Sequence, residues 1–143
     1  MEDALRRAGI TNITIKRGQI YWVEDSIIVF PTARLSEYPE RTMHDNRPVL
    51  VLQSDLDCCN PACRLVLIAP LSHKVEYQDE TTYRINAEDT GLPKDSLVEL
   101  GLIQPILKMD LSGFVAELNP ITMAEINQVM SANLGIINRP SVR

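Results

Sequence analysis

Two short runs of aliphatic and β-branched residues, Val49 to Gln53 and Arg64 to Ala69, constrain this chain more than any other feature. Neither alternates polar with apolar side chains, so each reads as a buried strand rather than one with a wet face. Such strands need a real core. A chain of 143 residues can bury roughly 68% of its unfolded surface, enough for one without disulfides or metals. Hydrophobic residues make up 45% and charged residues 23%, which argues against disorder and against coiled coil.

Further strand candidates surround the two runs. Gln19 to Val23 is apolar and aromatic. Ser26 to Pro31 is apolar again and is stopped by Pro31. Thr81 to Ile85 alternates, Leu97 to Leu100 and Leu102 to Leu107 are short apolar pieces, and Phe114 to Leu118 is a last strand candidate. Pro70 is expected to terminate the run that begins at Arg64, because proline donates nothing to a sheet ladder. Residues 32 to 46 form a long polar loop, Ser54 to Ala62 another, and Leu92 to Asp95 a turn. Glu2 to Ala8 is a candidate short helix ending at Gly9. The C-terminal helix is the clearest local pattern. Thr122 and Glu125 form a capping box, Ile121 and Ile126 sit at the staple positions, and Ile126, Val129, Met130, Leu134 and Ile137 follow helical spacing before Gly135. Many short strands with one helix predict a mainly β fold with helices (α+β), a small barrel in a single domain. Residues 1–14 read as an extension and 15–137 as barrel and helix.

The formal net charge is −5. That excludes a generic basic coat for nucleic acid but not a local basic cleft. No stretch is long enough for a membrane helix, and no apolar segment of a secretory signal follows the N-terminus. The three cysteines, Cys58, Cys59 and Cys63, are odd in number and clustered. They do not form a secreted disulfide framework, and a reducing cytoplasm is expected. With His44 or His73 they offer a zinc set, but the spacing is not diagnostic and plain thiols are expected. No phosphate-binding loop, dinucleotide fingerprint, zinc-protease motif or serine elbow is present, and no cofactor is expected.

Five segments, in order, resemble the MazF/PemK toxins. Arg17 to Val23 (RGQIYWV) is similar to their opening strand, and Arg47 to Asp55 (RPVLVLQSD) to their second. Ala69 to Ser72 (APLS) resembles the end of their next strand. Gly91 to Val98 (GLPKDSLV) is similar to their GL-x-x-DS-x-V segment, and Gln104-Pro105 falls where many members place a Gln before an Arg-Thr pair. The resemblance covers roughly residues 15 to 137. It implies an SH3-like barrel, a homodimer, an antitoxin partner, and cleavage of single-stranded RNA without a metal.

The resemblance also implies that Arg47 and Ser72 are the catalytic pair. A guanidinium holds charge on phosphoryl oxygens, and a hydroxyl bonds the same phosphate or orients the nucleophile. Without the resemblance, Arg47 reads as a solvated strand-start arginine and Ser72 as a strand-end cap. His73 and Lys74 are either phosphate contacts or exposed loop side chains. His44 is a general acid/base or a bystander, Trp22 a base-stacking platform or core, and Gln104 a base-contacting amide or a strand-edge glutamine. The chain departs from the family pattern at three places. Ile106-Leu107 stand where the Arg-Thr pair is found, the loop from Asp25 to Asn46 has no glycine, and Lys108 to Leu118 is short for an inserted helix. The missing arginine keeps a second reading open, a catalytically impaired barrel that binds nucleic acid or protein.

Overall fold

The computed structural model describes residues 14–35 and 43–139. The helix expected over Glu2 to Ala8 and part of the polar loop lie outside the described residues. Seven antiparallel strands form the body: β1 (Gln19–Glu24), β2 (Asn46–Val51), β3 (Leu65–Ser72), β4 (Thr82–Ile85), β5 (Ser96–Glu99), β6 (Gln104–Leu107) and β7 (Ser112–Glu117). They run in the order β4-β5-β3-β2-β1-β7, with β6 also paired to β3. A helix, Pro120–Asn133, follows. No helix among the described residues is long and apolar enough to cross a membrane.

The unbroken apolar runs are explained by cover on both faces of the sheet. Ile20, Leu50, Ala69 and Leu71 pack with Leu118, Met123 and Ile126 at the C-terminal helix. Their chain neighbours Tyr21, Val49, Val51 and Ile68 point the other way and pack with Ile28 and Leu111. Alternate residues thus enter two different cores, and neither is polar.

Prolines do not stop these strands. Pro70 was expected to end the Arg64 run, yet β3 continues to Ser72. On one side Pro70 pairs with Val49 of β2. On the other it falls between Ile68, the last residue paired to β6, and Leu71, the first paired to β5. No ladder bond is required there, so the missing N–H costs nothing. Pro48 pairs with Trp22 of β1, but β3 joins β2 only from Val49 onward. Pro105 lies on β6, whose only partner among the described strands is β3.

Other expectations change in detail. Ser26 to Phe30 forms no strand. The chain turns at Asp25–Ile27, closed by the Ile28 N–H donating to the Asp25 carbonyl (3.1 Å), and turns again at Pro31–Arg34. The Ser54 loop contains a one-turn helix, Asp55–Cys58. Its open carbonyl end is closed by the buried Lys108 ammonium, which donates to the carbonyls of Asp57, Cys58 and Asn60.

The C-terminal helix is capped by Asn119 rather than Thr122. The Asn119 side chain accepts from the Thr122 N–H at 2.8 Å, and Pro120 occupies the first turn, where its missing N–H is no loss. Glu125 accepts instead from the Tyr83 phenol on β4, and Ile121 is 74% exposed, so neither capping box nor staple forms. Only Met123 and Ile126 are buried on this helix. It ends at Gly135, whose φ of 75° lets the Ile136 N–H reach the Ser131 carbonyl at 2.8 Å. Asn119→Ala is expected to destabilise the protein by about 1 kcal/mol in urea unfolding, and Thr122→Ala by much less. Equal losses would return the cap to Thr122.

Candidate functional site

The N-terminal end of β2, the C-terminal end of β3 and the turn before β5 converge on a groove of about 200 Å³. Its wall includes Trp22, His44, Arg47, Pro48, His73 and Lys94. The β1–β2 register sets the direction of Arg47. It pairs with Val23 and so turns toward the interior, where it is only 6% exposed. A buried guanidinium needs a counterion, and Asp25, itself fully buried, supplies it. Arg47 Nε donates to Asp25 Oδ1 at 2.6 Å and Nη2 to Oδ2 at 3.3 Å. Nη1 donates to the Leu71 carbonyl at 2.8 Å, and the guanidinium lies 4.8 Å from the Phe30 ring centre.

That bond to Leu71 brings Arg47 against the residue before Ser72. Ser72 is half-buried, pairs with Leu97 across β5, and accepts from the Lys74 N–H at 3.3 Å. The His44 and His73 rings sit 5.3 Å apart at the mouth of the groove. Partial covering of its ring, then the neighbouring His44, Lys94, Arg47 and Lys74, hold His73 below its ordinary value of 6.5. The net charge of −5 therefore conceals a locally cationic patch.

Trp22 is half-buried beside this patch. It pairs with Pro48 on one side and lies against β7 on the other. Gly113 is required there: its φ is +53°, and an added Cβ would stand 3.2 Å from Trp22 Cδ1. Gln104 is not brought to the groove. Its amide accepts from the Val29 N–H (2.9 Å) and donates to the Val29 and Leu102 carbonyls, pinning the segment after β1. Ile106 pairs with Val66 and is buried in the core, so that position does not face the groove either.

Sequence reasoning missed Asp25 and Lys94. Asp25 is one of 19 acidic residues, and only the pairing of β1 with β2 sets it beside an arginine 22 positions away. Lys94 lay in a segment read as a turn. Among the described residues no group of three His, Cys, Asp or Glu side chains is placed to hold a metal ion. The three cysteines are free thiols, and burial pushes Cys58 up to about 11.

The family model for the PemK-like, MazF-like toxin of type II toxin–antitoxin systems matches residues 16–134. The chain belongs to that family. The MazF-like fold recurs in solved structures. An endoribonuclease from a mycobacterial species is 19% identical, with a TM-score of 0.61 over 90% of this chain and 97% of that one. An endoribonuclease in complex with its cognate antitoxin, also mycobacterial, is 20% identical, with a TM-score of 0.60 over 89% and 98%. The Mycobacterium tuberculosis toxin MazF-mt6 is 23% identical, with a TM-score of 0.56 over 64% and 88%. At these identities the likeness is one of fold. No curated protein matches the chain.

The depressed His73 value has a direct consequence. Its folded value lies below the unfolded one, so as pH falls through 6.5 the unfolded chain takes up the proton first and stability is lost. Imidazole NMR titration is expected to place His73 below 6.5, and Lys94→Ala to raise it. A midpoint at or above that value in the wild type would contradict the cationic patch.

Proposed function

We propose that this MazF-like toxin is an endoribonuclease that cuts single-stranded RNA without a metal. One observation carries the reading: the Arg47 guanidinium is held at the groove wall, bonded to the carbonyl next to Ser72. The 2′-oxygen attacks the adjacent phosphorus, the bond to the 5′-oxygen breaks, and the products are a 2′,3′-cyclic phosphate and a 5′-hydroxyl. Charge gathers on the phosphoryl oxygens as the attack proceeds. Of the five donors on a guanidinium, three have the partners given above, and the remaining two meet that charge. Ser72 bonds the same phosphate. His73, neutral near pH 7, takes the proton of the 2′-hydroxyl, and His44 passes one to the departing 5′-oxygen. Lys74 and Lys94 attract the phosphates on either side, and Trp22 stacks a base. Gln104 contributes by holding Val29 in place rather than by contacting RNA.

The rival reading, a barrel that binds without cutting, is favoured by Ile106, which sits in the core where family members place an arginine. Cleavage of a long RNA in excess EDTA, with end mapping, separates the two. We expect 5′-hydroxyl ends, undiminished by chelation. Arg47→Ala should lower the rate by about 10²–10³-fold and Ser72→Ala by less, because a charged donor is lost in the first. Cutting that vanishes with EDTA and returns with Mg²⁺, or a wild-type rate for Arg47→Ala, would refute the mechanism.

A cytoplasmic toxin of this kind is paired with an antitoxin, whose tail crosses the groove, and acts as a homodimer. The apolar side chains at β6 and on the C-terminal helix differ in how far they are open to a second copy. Ile106 and Ile126 are in the core, Ile103, Val129 and Met130 are half-buried, and Leu107 is 42% exposed. Leu107 pairs with Leu65, which is 51% exposed, and Leu67 beside it is 39% exposed on the same face. This row is the surface we assign to a second copy. Sedimentation equilibrium at micromolar protein should give twice the 16.1 kDa protomer mass, and Leu67→Lys should return it to one. A wild-type monomer would refute the homodimer.

A further inference from the structure

Asp25 does more than neutralise a buried charge. Its carboxylate meets two nitrogens of Arg47, and Oδ2 also accepts the His44 N–H at 2.9 Å. Its own N–H donates to the Asp45 carbonyl at 3.2 Å. One fully buried residue therefore ties the end of β1, the start of β2 and the guanidinium into one unit. A guanidinium on a flexible stem has many orientations, and a two-point contact to a planar carboxylate leaves one. The Leu71 carbonyl fixes the third donor from the far side. What remains are the N–H groups opposite those bonds, one on each terminal nitrogen.

We propose that Asp25 is a positioning residue for cleavage: it orients Arg47 so that these two N–H groups face the scissile phosphodiester. The inference rests on the nuclease reading above. It makes a distinctive prediction about sign. Asp25→Asn removes a negative charge beside the groove, so electrostatics alone favours tighter binding of RNA. Loss of orientation slows only the step in which charge develops.

The test measures kcat and KM on a single-stranded oligoribonucleotide for the wild type, Asp25→Asn, Arg47→Ala and the double variant. Affinity is read on the uncleavable 2′-deoxy analogue, and folding by thermal melting. Asp25→Asn is expected to lower kcat about 10–100-fold, with KM and deoxy-analogue affinity unchanged or improved. In the Arg47→Ala background the same substitution should change kcat less than about twofold, because residues acting as a unit are not additive. Asp25→Glu, which keeps the charge and lengthens the arm, should also lower kcat and serves if Asp25→Asn does not fold. Wild-type or raised kcat in Asp25→Asn overturns the proposal. So does an equal further loss in the Arg47→Ala background, or a joint fall in affinity and melting temperature. A wild type that cuts no RNA overturns the nuclease reading instead. The Arg47 Nε–H resonance then decides the positioning: protected in the wild type and averaged in Asp25→Asn supports it, unchanged in Asp25→Asn overturns it.

Discussion

The structure depends on one strand serving two sheets. β3 pairs along one edge with β2, and along the other first with β6 and then with β5. Everything else is referred to that crossing. The change of partner falls at Pro70, the residue with no N–H to offer. The two cores lie on either side of the same strand, one filled from Val66 and Ile68 and the other from Ala69 and Leu71. Past the crossing, β3 delivers Leu71 to the groove, and His73, just beyond the end of the strand, joins it in the wall. The position of the site thus follows from where one strand changes neighbours.

The site has the character of an interior that reaches the surface. Arg47 is held from below by Asp25 and Phe30 and from the side by a backbone carbonyl. A buried pair of this kind adds little net stability compared with an apolar pair, but breaking it strands a charge. Its contribution is one of geometry. Lys94, in contrast, stands exposed at the groove wall, where its charge adds field rather than direction.

Much of the barrel was legible because the runs at Val49 and Arg64 are short, almost wholly aliphatic and bounded by turn residues, the pattern of buried strands. Arg47, Ser72 and Trp22 stood out as candidates through segments whose order resembles a family, and His44 and His73 only as histidines near those segments in the chain. The strand through Pro70 was not, since a proline's effect depends on which edge of the strand lacks a neighbour, and that is a property of the sheet. The Asn119 cap was hidden by a competing pattern three residues later, which Pro120 decides against. Gln104 has the right chemistry for a base contact, but folding brings Val29 to it first. Asp25 carried no local signal at all, because its meaning arises only once β1 and β2 lie side by side.

The close contact between Gly113 and Trp22 has a practical side. Trp22 is the only tryptophan in the chain, and it stands half-covered in the groove wall, with β7 pressed against its ring edge. The protein's entire indole emission therefore originates at the site. Any molecule that enters the groove changes the polarity around that one fluorophore, so occupancy is readable in solution without a label.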